Sequence, residues 1–110
     1  MSSKISIPLD LPDVRVLGSR PEGAEYLIIE VDSTLTGTPC QRCGRHTEQF
    51  HGHDRAIQLQ HLPALGREVK IEIRPKRYRC PHCEGEPTST QRCAWYELNH
   101  PCTRPYEKWV

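Results

Sequence analysis

The groups whose type and spacing commit them most clearly to a chemistry are two Cys-x-x-Cys pairs, Cys40-Gln41-Arg42-Cys43-Gly44 and Cys80-Pro81-His82-Cys83, with 36 residues between them. Two thiolates three residues apart fit on one tight turn and both reach a single Zn²⁺ at about 2.3 Å. Gly44 suits the turn after the second ligand, where positive φ is often required. Pro81 fixes φ directly after the first ligand of the other pair. Two such knuckles complete a tetrahedral four-cysteine site. A site with all four positions filled by protein is structural, because no position remains for a substrate or an activated water. The gap between the pairs exceeds the common 15–20 residues, so a hairpin must carry the chain out from one knuckle and back to the other.

Other groups are weaker. Cys93 and Cys102 have no partner at ligand spacing and read as free thiols. His46, three residues after Cys43, and the His51-Gly52-His53 cluster resemble ligands, but four cysteines already fill the shell. The histidines otherwise read as surface or phosphate-contacting groups. Glu84 and Glu86 lie near Cys83, yet a metal-site general base needs a metal-bound water. No Ser-His-Asp order, phosphate-binding Gly-rich loop or paired-carboxylate motif stands out. Redox use of a Cys-x-x-Cys lacks the surrounding βαβ pattern. Disulfides lack any sign of secretion: residues 1–8 contain no continuous apolar stretch of the signal-peptide kind. The longest apolar run, Tyr26 to Ile29, is far short of the about 20 residues of a membrane span. These features point to a cytoplasmic address, with no membrane partner and reduced thiols.

Charge divides the chain. Residues 1–39 hold three basic and six acidic side chains, residues 40–83 nine basic and four acidic, and residues 84–110 three basic and four acidic. The net charge of +1 therefore conceals a basic block that also carries five of the six histidines. Such a block is either a solvated surface or a face for a polyanion.

The elements that must position the cysteines are short strands. Ten prolines and seven glycines exclude a helical bundle, and Leu, Ile, Val and Phe supply only 22 of 110 residues. A core this thin commonly needs a metal, a disulfide or a partner. Ile5, Ile7, Leu9 and Leu11 alternate between prolines, as in an extended arm or edge strand. Val14–Leu17 and Tyr26–Asp32 read as a hairpin around a turn at Gly18–Gly23. The segment from Arg55 to Leu65, with Ile57, Leu59 and His61 alternating, pairs in this reading with Val69–Arg74. The loop is Pro63–Arg67. Val69, Ile71 and Ile73 face one way, while Lys70, Glu72 and Arg74 face the other. Pro75 interrupts the strand before Cys80. Thr103-Arg104-Pro105-Tyr106-Glu107 carries the signals of a helix start.

The expected fold is thus a small β-rich, zinc-ribbon-like domain of antiparallel hairpins with two knuckles and little helix. Residues 1–98 form the single domain, with an arm and hairpin in 1–39 and the zinc core in 40–83. Residues 99–110 form a tail at the start of a following helical region. The basic strand then presents Lys70, Arg74, Lys76, Arg77 and Arg79 to the phosphates of a polyanion, with Arg55 and Arg67, and also Arg42 and Arg45, as further contacts. Tyr78 is a packing residue or a stacking one. The alternative function is a zinc-stabilised scaffold that docks a protein without touching a polyanion.

The order of these motifs resembles the N-terminal zinc-finger domain of one family of bacterial insertion-sequence transposases. Its elements are Leu11-Pro12-Asp13-Val14-Arg15-Val16, then the Cys40–Gly44 knuckle, His61-Leu62-Pro63, Gly66-Arg67, and finally Arg77-Tyr78-Arg79-Cys80-Pro81-His82-Cys83. The resemblance spans about residues 11–98. It implies one structural Zn²⁺ and binding to the double-stranded DNA of element ends, at the nucleoid. It also implies contact with a catalytic domain of the DDE type or with a second copy. In that family a helix-turn-helix region and the catalytic domain follow this module. The resemblance therefore implies a transposase fragment or truncated reading frame, not itself an enzyme. Cys93, Cys102 and the acidic leader are departures from the family pattern.

Overall fold

A computed structural model describes residues 11–64, 66–97 and 101–109. The expected arm at Ile5, Ile7 and Leu9 lies outside the described residues. The strands are β1 (Val14–Glu22), β2 (Tyr26–Ser33), β3 (Thr38–Pro39), β4 (His46–Thr47), β5 (Gln49–His53), β6 (Ile57–Ala64), β7 (Arg67–Ile73), β8 (Lys76–Arg79) and β9 (Thr88–Thr90). One short helix, α1 (Arg104–Trp109), follows.

The expected second hairpin is present, and it is longer than one sheet. β6 pairs with β7, and β5 pairs with β8, both antiparallel. The two pairs form one continuous ribbon, bent where Pro75 ends the ladder. At the bend the Asp54 amide donates to the Pro75 carbonyl at 2.7 Å. One end of the ribbon joins a four-stranded sheet of order β1-β2-β7-β6. The other end joins a three-stranded sheet of order β5-β8-β9, next to the small β3-β4 pair. The 36 residues between the knuckles are therefore the ribbon itself.

The first hairpin also forms, with a later turn than expected. β1 continues through Gly18 and Pro21, and the chain reverses at residues 23–25. A bulge between Val16 and Gly18 absorbs the irregularity. As an edge strand, β1 tolerates Pro21, which has no amide to donate. β2 lies parallel to β7, with Ile29 opposite Ile71 and Val31 opposite Ile73. This parallel seam joins the two hairpins into one sheet.

Alternation decides which face is covered. Ile29 and Val31 of β2, Leu59 of β6, and Val69, Ile71 and Ile73 of β7 form one buried cluster with Trp95 and Tyr96. His61 continues the Leu59 face and is buried too. Its Nδ1 lies 2.8 Å from the Thr103 hydroxyl. Thr103 also accepts from the Glu107 amide through its carbonyl, at 3.1 Å, and so opens the expected helix. The Thr103 amide donates to the Gln60 carbonyl and the Gln60 amide to Pro101. Residues 101–109 thus pack along β6. Among the described residues no helix is long and apolar enough to cross a membrane.

Candidate metal centre

The two knuckles meet at the far end of the ribbon. Cys40 follows β3, and Cys80 follows β8. In the first knuckle the Gly44 amide donates to the Cys40 carbonyl and the Cys40 amide to the Arg45 carbonyl, each at 2.8 Å. Gly44 takes φ 78°, the positive value its place after the second cysteine suggested. In the second knuckle the Cys80 amide donates to Pro87 at 2.9 Å and the Glu86 amide to Cys83 at 3.1 Å.

These turns bring Cys40, Cys43, Cys80 and Cys83 together, with all four sulfurs within 4.8 Å of one another. The Cys40–Cys83 and Cys43–Cys80 sulfurs are 3.8 and 3.7 Å apart. A tetrahedron with Zn–S bonds of about 2.3 Å has edges of about 3.8 Å, so the cage has the size that zinc demands. A disulfide would need about 2.05 Å, and all six cysteines are free. Backbone donors from Cys43 and Arg42 hold the Cys40 thiol down to about 6. Hydrogen bonding with Cys43, burial and the other sulfurs push the Cys83 thiol up to about 12. Thiolates this close repel one another, so all four ionise only around a cation. The donor set fits one structural Zn²⁺. His46, His51, His53 and His82 are exposed and lie outside the sulfur cage. Cys93 and Cys102 are outside it as well.

Polar residues with no metal-ligand signal support the cage. The Ser89 hydroxyl accepts from the Gln41 amide at 3.1 Å. The Thr47 hydroxyl donates to the Arg79 carbonyl at 2.6 Å. Gln91, 1% exposed, donates to the carbonyls of Leu35 and Gly37, both at 3.0 Å. Each is an ordinary polar residue in sequence, and only its burial reveals the role.

The basic residues expected to contact phosphate differ in how far they are engaged within the protein. On β7, Lys70 lies over the Tyr26 ring at 4.3 Å. Lys76 donates to the Ser33 carbonyl at 2.9 Å and lies 3.9 Å from Asp32. Arg77 donates to Asp54 at 2.9 Å and to the hydroxyls of Thr88 and Thr90 at 2.6 and 3.1 Å. That network also holds the Asp54 carboxyl below its ordinary range, through the Thr90 hydroxyl first and Arg77 second. Lys76 and Arg77 thus tie the ribbon to its neighbours. Arg55, Arg74 and Arg79 are exposed, as are Arg42 and Arg45, and Arg67 is half-buried. Arg79 lies 3.8 Å from Glu86. Tyr78 is buried, as a packing residue would be.

Residues 36–83 match the family model for the zinc-finger of transposase IS204/IS1001/IS1096/IS1165. The matched span begins just before β3 and ends on Cys83, so it contains both knuckles and the whole ribbon. This segment is similar to that zinc finger, and its four cysteines form a cage of the size that zinc demands. No curated protein and no solved structure matches the chain significantly.

Proposed function

Proceeding from a transposase-type zinc ribbon, we propose that this chain is the DNA-recognition module of an insertion-sequence transposase, distinct from the part that performs catalysis. The carrying observation is the surplus of exposed guanidinium groups along the ribbon. Arg42, Arg45, Arg55, Arg74 and Arg79 are exposed, whereas of the four acids in residues 40–83 only Glu48 and Glu68 are exposed, and Asp54 and Glu72 are engaged by Arg77 and Arg20. Arg55 and Arg74 belong to the two arms of the bend, and Arg79 to the zinc end. Such groups neutralise phosphates and position a module on a duplex. Of the wider basic set, Lys76 and Arg77 act in this reading by holding the ribbon's shape, and Lys70 and Arg67 lie at its margin. Zinc fixes the distal end so that the arginines keep a constant spacing. The partners are double-stranded DNA at element ends and, through apolar surface, a catalytic domain or a second copy. The place of action is the cytoplasm, at the nucleoid.

The test is fluorescence anisotropy with labelled duplexes carrying the element ends and with a scrambled duplex, across a salt series. Zinc-dependent binding that favours the ends and falls steeply with salt is the expected result. The triple variant Arg55→Gln, Arg74→Gln, Arg79→Gln should reduce the log–log salt slope by about 0.9 per lost phosphate contact. No binding at low salt by folded, zinc-loaded protein would refute the reading. It would leave a scaffold for protein docking.

A further inference from the structure

Phe50 is the sole phenylalanine of the chain, and it is 55% exposed although the core is thin. It sits on β5, an edge strand. Its ring is held in place: it meets Tyr78 at 6.0 Å and His53 at 5.2 Å, with interplanar angles of 73° and 72°. Both contacts are edge-to-face, so neither neighbour stacks parallel to it. A register shift between Phe50 and Gly52, where φ is 123°, brings His53 onto the same side of the strand. Substituting that glycine would disturb the pair, because side chains rarely adopt this φ.

His53 continues into an open groove of about 500 Å³ whose lining includes Arg15, Leu17 and Arg74. Three acids also line it, but each is already engaged. Glu30 and Glu72 bond Arg20. Asp32 bonds Arg15 at 3.4 Å and lies 3.9 Å from Lys76. Arg74 has no ion pair among the described residues, and the Arg15 side chain is 68% exposed. With Arg20 and Lys76 counted, four cations stand against three carboxylates, and Arg74 is the one left to a ligand. An immobilised, uncovered aromatic ring beside a groove that holds an unpaired guanidinium is the chemistry that binds unpaired nucleotides, with the base on the ring and the phosphate on the cation.

We infer that Phe50 and the adjoining groove bind an unpaired nucleotide of a DNA strand, with the base stacked on Phe50 and the neighbouring phosphate held by Arg74. This rests on the DNA reading above and narrows it: duplex phosphates engage the exposed arginines, and Arg74, at the bend, meets the phosphate at the junction where a single-stranded extension reaches Phe50. A base inside an intact duplex is unavailable for such stacking.

The test uses the full, zinc-loaded chain and three labelled probes at one salt concentration. They are a blunt duplex, the same duplex with a short oligo-dT overhang, and the same overhang built from abasic nucleotides. The wild type should prefer the dT overhang to both other probes. Phe50→Ala should remove that preference, on the order of tenfold, while leaving blunt-duplex affinity unchanged. Phe50→Trp should keep it. Arg74→Gln should weaken all three probes, because Arg74 also faces duplex phosphate in the DNA reading. If Phe50→Ala does not fold, the wild-type comparison of dT with abasic overhang decides. Equal binding to blunt, dT and abasic probes, or no effect of Phe50→Ala on the dT probe, overturns the stacking site and leaves the duplex reading standing. No binding to any probe overturns both.

Discussion

Chelating the metal should open one end of this molecule and leave the other folded. A structural zinc contributes about 10–16 kcal/mol in finger peptides at pH 7, as much as the whole stability of about 5–15 kcal/mol typical of a small domain. By that comparison alone, metal loss would unfold everything. The structure argues otherwise, because the buried cluster of Ile29, Val31, Leu59, Val69, Ile71, Ile73, Trp95 and Tyr96 contains no ligand. It lies on the four-stranded sheet and the Trp95–Tyr96 segment, which bury apolar area without the metal. The zinc end has β3-β4, of two residues each, and three short strands. Its knuckle amides depend on turns that the sulfur cage holds. Hydrogen exchange on loaded and chelated protein separates the two. The amides of Cys40, Gly44 and Cys80, bonded at 2.8, 2.8 and 2.9 Å, should lose at least about a hundredfold of protection, equivalent to about 2.7 kcal/mol. The amides of Ile29, Val31 and Ile71 should change by less than about tenfold. Uniform loss across both sheets would refute this division. Unchanged protection at the knuckles would refute the zinc as their support.

Two substitutions test the supports of the cage and of the bend. Gly37→Ala places a methyl group against the Thr47 carbonyl and the His46 ring at φ 81°. It should cost about 1–3 kcal/mol and weaken zinc retention, read by competition with a chelating dye. Asp54→Ala removes the acceptor shared by Arg77 and Thr90. Its side chain is 38% exposed, so solvent screening limits the expected loss to about 1 kcal/mol by denaturant titration. Because the folded Asp54 carboxyl titrates below its ordinary range, its contribution is complete above about pH 4 to 5 and disappears as pH falls through the lower folded value. The variant's deficit should shrink over that acid range.

The cysteine cage was legible because ligand chemistry imposes local spacing. Residues three apart share a turn whatever the rest of the fold does. The ribbon was legible for a related reason: Val69, Ile71 and Ile73 alternate strictly, and the chain between the knuckles must go out and return. His61 followed the same alternation into the core. The parallel seam of β2 with β7 was not legible, since two half-buried strands carry the same pattern for either pairing direction. Trp95 and Tyr96 gave no periodic signal, yet they complete the core because they land where the sheet face needs cover. The turn expected at Gly18–Gly23 fell later because edge position decides what proline and glycine do in a strand. The basic residues are a different case. Their positive charge is evident in sequence, but which of them meets an internal acceptor is set by strands far away.

That last point bears on where DNA phosphates would bind. Zn²⁺ with four thiolates carries a net charge of −2. Arg42 and Arg45 belong to the first knuckle or its flank, and Arg79 precedes Cys80 directly. Each of the three is within two residues of a cage cysteine in the sequence. Arg79 also has Glu86 beside it. These three arginines are therefore partly neutralised on the protein, and the screened field they offer to DNA is correspondingly small. Arg55 and Arg74 lie at the bend, away from the thiolates, on segments whose acids are engaged elsewhere. The strongest phosphate contacts are thus expected at the bend rather than at the zinc tip. Single Arg55→Gln and Arg74→Gln exchanges should reduce the salt slope more than Arg42→Gln or Arg45→Gln, although all four residues are exposed.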